Sequence, residues 1–471
     1  MMVGQANISL YYKNVTAEVL GPEHGISRDQ FTEIAAKTTA AIEKVNQVRQ
    51  AGKTPYRDLP YKAEYAASAK KLGAEIARDC ENFVVLGIGG SALGNIALQT
   101  ALNPYMYNTD DKQRKGPRLF VFDNVDPAQL GSFLDWIGDK LDRTWFNVIS
   151  KSGRTAETAA QYLILQKMLL ERLGPAGFKE HVIATTDPKK GTMRQITDKY
   201  GFRSLEVPDG VGGRFSVLSP VGLLSAVVCG IDIDALLAGA ADMDQRVKGT
   251  GFYANPAAML AGVNHHFYQR GKRISVMMPY AYALKDLSDW YRQLWAESLG
   301  KAKDTQGATV FVGPTPVKAL GTTDQHSQVQ LYREGPNDKI FTFLQVQEFS
   351  RDLTIGPAPD CAPELGYLAG AKLSKLLNSE KVATEYALVK DQRPCMTILF
   401  ERIDARTVGQ FLYLYEVATS IAGRLFDIDA YDQPAVELGK DATMALMGHS
   451  DYAPMVAKIQ PIAMMDPAYR I

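Results

Sequence analysis

The sequence predicts an α/β protein built from two mostly parallel sheets flanked by helices. Three observations carry this reading. Short apolar runs of strand length alternate with helix-patterned stretches in two separate series, the signature of parallel sheets covered on both faces. The chain has 471 residues, more than one ordinary core accommodates, so two or three domains are expected. Two of the early strands run directly into glycine- and serine-rich turns, where open parallel sheets hold their ligands.

Residues 26–80 are patterned as helix, with Ser27 in an N-cap position and apolar residues at three-to-four spacing. First-series strands are expected at 83–88, 118–123, 146–150 and 181–185, separated by helical stretches such as 156–173. The most apolar window, 217–240, is interrupted by Asp232 and Asp234, which predicts a buried helix and not a membrane span. A second series begins near Ile274, with strands at 274–278, 309–312, 340–344 and 396–400 and a last helix over 407–426. The expected division is an N-terminal helical segment at 1–60, a first α/β domain with the phosphate turns at 61–215, connecting helices at 216–265, a second α/β domain at 266–440 and a C-terminal tail at 441–471.

Apolar residues make up 46% and charged residues 22%, the balance of a soluble globular enzyme. Lys+Arg and Asp+Glu are both 52, so no global field draws the chain to nucleic acid or to an anionic membrane. Cys80, Cys229, Cys361 and Cys395 lie far apart with no CxxC pair, which indicates neither a zinc site nor a disulfide framework and fits a reduced cytoplasm. The N-terminus lacks a basic start followed by an apolar stretch, so no secretory signal is expected.

The first turn, Gly87-Ile88-Gly89-Gly90-Ser91-Ala92, follows the apolar run Phe83–Leu86 and leads into a helix pattern. Glycines let the backbone turn tightly, so that its N–H groups can close around an anion at a helix N-terminus. The same letters fit the G-x-G-x-x-A dinucleotide fingerprint, but that reading needs an acidic residue about 20 residues further on, and Asp123 lies well beyond that distance. A tight structural turn explains the first motif alone about as well as a ligand does. A second turn tilts the balance toward phosphate: Ser150-Lys151-Ser152-Gly153-Arg154-Thr155 offers the hydroxyls of Ser150, Ser152 and Thr155, with Thr158 either another donor or only a helix cap.

Further segments carry chemistry-bearing residues. In Gly212-Gly213-Arg214-Phe215-Ser216, the glycines let a permanently charged guanidinium approach a ligand, although a lone arginine more often ties loops together. In Gln293-Leu294-Trp295-Ala296-Glu297-Ser298-Leu299-Gly300-Lys301, helical spacing puts Gln293 and Glu297 on one face, ahead of a glycine stop. Glu297 can be a general base or simply a surface charge. Gly321-Thr322-Thr323-Asp324-Gln325-His326 holds a histidine among polar residues, but His24 and His449 have similar neighbours, so context does not single out His326. Lys440, in Tyr431-Asp432-Gln433 through Glu437-Leu438-Gly439-Lys440, passes alone for a surface lysine.

Together, from about residue 80 to Lys440 and in this order, these segments resemble the phosphoglucose isomerase family. The stretches Asp209–Ser216 and Tyr431–Lys440 are the most specific, Glu297–Lys301 is similar to the catalytic-glutamate motif, and the resemblance selects His326. Pro434-Ala435, Gly153-Arg154 and Ala92 depart from residues common in better-known members. The resemblance implies two sugar-isomerase (SIS) α/β domains and a homodimer whose site takes a histidine from the neighbouring subunit. It implies interconversion of glucose 6-phosphate and fructose 6-phosphate without metal or organic cofactor. Glu297 would move a proton between adjacent carbons through a cis-enediolate, and Arg214 would stabilise the negative intermediate. His326 and Lys440 would open the sugar ring. Gly90, Ser91, Ser150, Lys151, Ser152 and Thr155 would hold the phosphate, and Gln293 and Gln433 would position hydroxyls or phosphate. Alternatives are an isomerase that also takes mannose 6-phosphate, a non-catalytic sugar-phosphate regulator on the same fold, for which no helix-turn-helix or basic patch is found, and a nicotinamide-dependent dehydrogenase.

Overall fold

The computed structural model describes residues 7–471. Strand β1 (Ile8–Tyr11) comes first, followed by helices α1 (Ala17–Leu20), α2 (Arg28–Gln50) and α3 (Ala63–Ile76). The first series then runs β2 (Asn82–Leu86), α4 (Leu93–Leu102), β3 (Arg118–Phe122), α5 (Pro127–Ile137), β4 (Thr144–Ile149), α6 (Ala156–His181), β5 (Val182–Thr186), α7 (Thr192–Tyr200) and β6 (Arg203–Glu206). Helices α8 (Pro220–Val228), α9 (Ile233–Val247) and α10 (Pro256–Gln269) lead to β7 (Ile274–Pro279) and α11 (Lys285–Leu299). Strands β8 (Lys301–Lys303), β9 (Thr309–Val312) and β10 (Thr315–Lys318) precede α12 (Val329–Glu334), β11 (Lys339–Glu348), α13 (Leu373–Lys390), β12 (Cys395–Arg402) and α14 (Ala405–Leu425). Helices α15 (Glu437–Leu446) and α16 (Ala453–Ala463) follow.

The first sheet has the order β3-β2-β4-β5-β6, and every pairing in it is parallel. Its inner strands β2, β4 and β5 are buried throughout, which is why they read as continuous apolar runs. The order reverses between β2 and β4, and such a switch point leaves a crevice beyond the strands' carboxyl ends. Both glycine/serine turns lie there. The second sheet has the order β1-β12-β11-β7-β10, parallel except for β1, which joins β12 antiparallel at the edge.

Helix α14 is buried along the whole of Thr407–Gly423. It packs closely on α9 because Gly409 and Gly239 bring the backbones together; a Cβ on either glycine would fall 1.9 Å from a carbonyl oxygen of the facing helix. At the other end of the chain, Ser27 caps α2 through a reciprocal capping box with Gln30, as its position predicts.

Three expectations need correction. The window 217–240 is not one helix but two, α8 and α9, because Gly230 turns at φ 77° and Asp232 starts a new helix by accepting from the Ala235 N–H. The apolar run at 309–312 stays out of the second sheet. It pairs antiparallel with β8 and leaves Phe311 77% exposed. The sheet takes β10 instead, whose Pro316 is tolerated because β10 is an edge strand. Thr158 does not cap α6; Thr155 is the N-cap and Thr158 is buried one turn inside. Among the described residues, no helix is long and apolar enough to cross a membrane.

Candidate active site

Arg214 is the hub. It sits in a short 3₁₀ turn after Gly212-Gly213 and is only 3% exposed. Its Nε donates to the Ser298 hydroxyl (2.7 Å), its Nη1 to Gln433 Oε1 (2.8 Å), and its Nη2 to the carbonyls of Ala430 (2.8 Å) and Asp432 (3.1 Å). Nη1 also lies 3.1 Å from Glu297 Oε1. Burial pushes the guanidinium down from its ordinary value, and Glu297, Asp432 and Asp429 pull it back up.

Glu297 stands in the last turn of α11 with its side chain 27% exposed, reachable by a ligand yet held. Gln293, one turn earlier, donates from Nε2 to Glu297 Oε2 at 3.0 Å, so both carboxylate oxygens are oriented. Lys301 closes the far side: its Nζ donates to the Glu297 carbonyl (2.8 Å) and the Asp432 carbonyl (2.9 Å). Burial, and then the nearby Arg214 charge, lower the Lys301 pKa.

The first glycine turn abuts this cluster. A Cβ on Gly90 would fall 2.1 Å from the Gly213 carbonyl carbon and 2.6 Å from the Arg214 nitrogen, so only glycine lets the two turns meet. Gly89 adopts φ 56°, and its Cα faces the Gln293 amide. Ser91 is half-buried at the start of the next helix. The second turn emerges from the neighbouring strand β4. There the Ser150 and Ser152 oxygens accept from the N–H groups of Gly153 (3.0 Å) and Arg154 (3.1 Å), which shapes the turn. Thr155 makes no side-chain cap bond to α6. Lys151 pairs with Asp209 at 3.4 Å, tying this turn to the loop that leads to Arg214.

Residues 434–440 are exposed. Lys440 projects from α15 and pairs with Glu437 at 2.7 Å, both more than half exposed. His326 is also exposed and lies elsewhere in the chain. Gly313, just ahead of β10, backs onto Gly300 at the end of α11, whereas Lys318 at the carboxyl end of β10 pairs with Asp289 near the start of α11. Glu297 is therefore level with the amino end of β10, and His326 lies beyond its carboxyl end. About 12 Å of helix at 1.5 Å per residue separates Asp289 from Glu297. One chain does not bring His326 to Glu297.

Sequence reasoning did not assign Ser298 or Lys301, although both stand in the Glu297 motif. It also missed the wall behind Arg214, where Tyr56 packs on Phe215 with ring centroids 4.6 Å apart and on Tyr431 at 6.3 Å. Only the fold brings residues 56, 215 and 431 together.

The phosphoglucose isomerase family profile matches residues 27–462. The glucose-6-phosphate isomerase of Carboxydothermus hydrogenoformans is 46% identical over 88% of this chain and 89% of its own. That of Rubrobacter xylanophilus is 41% identical over 95% and 99%. Among solved structures, a hypothetical protein from Thermus thermophilus superposes with a TM-score of 0.83 at 32% identity, covering 94% of this chain and all of that one. A glucose-6-phosphate isomerase from Chlamydia trachomatis gives 0.72 at 25% identity, covering 85% of this chain and 77% of that one.

Proposed function

The chain belongs to the phosphoglucose isomerase family, and from that premise we propose how its residues divide the work. It catalyses the reversible aldose–ketose isomerisation of D-glucose 6-phosphate and D-fructose 6-phosphate, the step shared by glycolysis and gluconeogenesis.

In this reading, the substrate phosphate sits at the switch point, held by the backbone at Gly90-Ser91 and by Ser150, Lys151, Ser152 and Thr155. Helix and sheet backbone donors suit an anion there. The open-chain sugar then extends toward Arg214, Gln293 and Gln433. Glu297 removes the proton from the carbon beside the carbonyl and returns it to the neighbouring carbon, so one carboxylate serves both half-reactions. Negative charge builds on the enediolate oxygens, and the Arg214 guanidinium, pre-oriented by its own hydrogen bonds, offsets it without reorganising. The observation that carries this reading is the 3.1 Å approach of Glu297 to Arg214 beside the Gly89-Gly90 turn: base, cation and anion cradle converge within one small sugar's reach.

Ring opening falls to Lys440 and to a His326 supplied by a second copy of the chain. The position of His326 beyond the opposite end of β10 from Glu297 supports a homodimer with a shared site. So do α15 and α16: α16 buries no residue and α15 only Ala445, while Leu438, Met447, Ile462 and Met465 are all at least 67% exposed. An apolar tail of this kind fits packing against a partner subunit. Four unlinked cysteines support a cytoplasmic setting.

A coupled assay of fructose 6-phosphate conversion tests the assignment. Wild type turns over, and Glu297→Gln loses roughly 10²–10⁴-fold in kcat while still binding substrate. Near-normal turnover by Glu297→Gln would remove it as the base. Repeating the assay with mannose 6-phosphate measures the breadth of the substrate range.

A further inference from the structure

The turn that carries His326 is built around one buried phenol. Tyr280 follows β7 and is fully buried. Its hydroxyl lies 3.0 Å from Gln325 Oε1 and 2.8 Å from Thr384 Oγ1, and the Thr384 hydroxyl donates to Gln325 Oε1 at 2.9 Å. Two O–H groups and one amide oxygen close a consistent relay: Tyr280 donates to Thr384 and Thr384 donates to Gln325. Burial pushes the Tyr280 phenol up to about 12, so it remains a donor across the neutral range.

The backbone ahead of His326 is pinned to the same post. Gly321 runs flush against the Tyr280 ring, where a Cβ would lie 2.5 Å from the ring carbons, and the Gly321 N–H donates to the Pro279 carbonyl at 2.9 Å. Asp324 ties the turn to itself, accepting from the Leu320 N–H (2.7 Å) and the Ser327 hydroxyl (2.6 Å). Gln325 is thus anchored inward on α13 through Thr384, while the next residue, His326, is exposed. A proton carrier delivered from a turn has no helix or strand to fix its reach, and a misplacement of about 1 Å can cost up to a hundredfold in rate.

We infer that Tyr280, Thr384 and Gln325 are positioning residues for His326, setting the reach of its imidazole for ring opening. The inference rests on the reading of His326 given above. It separates ring opening from enolisation, because Glu297 belongs to a different part of the fold.

The full-length enzyme is assayed on fructose 6-phosphate and on 5-deoxyfructose 6-phosphate, which has no 5-hydroxyl with which to close a furanose ring. Gln325→Leu and Thr384→Val are expected to lose roughly ten- to hundredfold in kcat/KM on fructose 6-phosphate and to match wild type on the open-chain analogue. Thr384→Ser, which keeps the hydroxyl, stays near wild type on both. Equal losses on both substrates, or no loss on fructose 6-phosphate, would overturn the inference. His326→Ala runs in parallel as a separate check. If it turns over fructose 6-phosphate normally, the role of His326 itself falls and the positioning role falls with it. If His326→Ala is impaired on the closed ring alone while Gln325→Leu and Thr384→Val are not, only the positioning role is lost.

Discussion

Every guanidinium nitrogen of Arg214 has a partner, and the partners come from two distant stretches: Ser298 and Glu297 on α11, and the Ala430–Gln433 loop. A lysine carries the same charge but not the planar fork that meets them all. Arg214→Lys is therefore expected to lower kcat/KM by roughly 10²–10³-fold, the scale of losing one preorganised electrostatic partner, which steady-state kinetics measures directly. Near-wild-type kcat/KM would mean that charge alone suffices. At this scale the sequence was legible where spacing does the work. Gln293 and Glu297 share a helix face by periodicity, and the structure joins them at 3.0 Å. Lys301 was not legible as a partner of the loop, because its contact with Asp432 exists only once residues far apart in the chain fold together.

Strands β2, β4 and β5 announced themselves as apolar runs because both their faces are buried. The edge strands β6 and β10 did not: β6 reads Arg-Ser-Leu-Glu and β10 contains Pro316, and neither needs a continuous apolar face. The exposed run at 309–312 misled for the converse reason, since apolar residues on a hairpin imitate a core strand. Helix α14 was legible in extent but not in its cost. Glu416 is fully buried there, and neither carboxylate oxygen has a hydrogen-bond partner among the described residues. Burial pushes its pKa well above the ordinary glutamate value, with Arg57 pulling back only in part. A folded-state pKa above the unfolded one means that the folded state binds the extra proton. The stability this group allows is fully present below the unfolded pKa and declines as pH rises above it, by up to about 1.4 kcal/mol per pH unit. Glu416→Met is accordingly expected to lose less stability than wild type between pH 5 and pH 8 in denaturant melts. Parallel losses in the two proteins would show that Glu416 does not titrate in this way.

For the molecule as a whole, the alternation of strands and helices made both sheets legible, and with them the position of the two glycine/serine turns directly after β2 and β4. The pairing of β1 with β12 was not legible, because four residues carry too little pattern to select a partner at the far end of the chain. Nor could spacing reveal that one chain keeps Glu297 and His326 apart at opposite ends of β10. That separation makes the proposal a statement about two chains, in which each catalytic centre would join the Glu297 of one subunit to the His326 of another. Mixed dimers test it most directly. Glu297→Gln and His326→Ala chains, each strongly impaired alone, are dissociated, combined in equal amounts and reassembled. Random pairing leaves one intact site in every heterodimer, so roughly a quarter of wild-type activity should return. Heterodimers that form yet recover no activity would contradict the account.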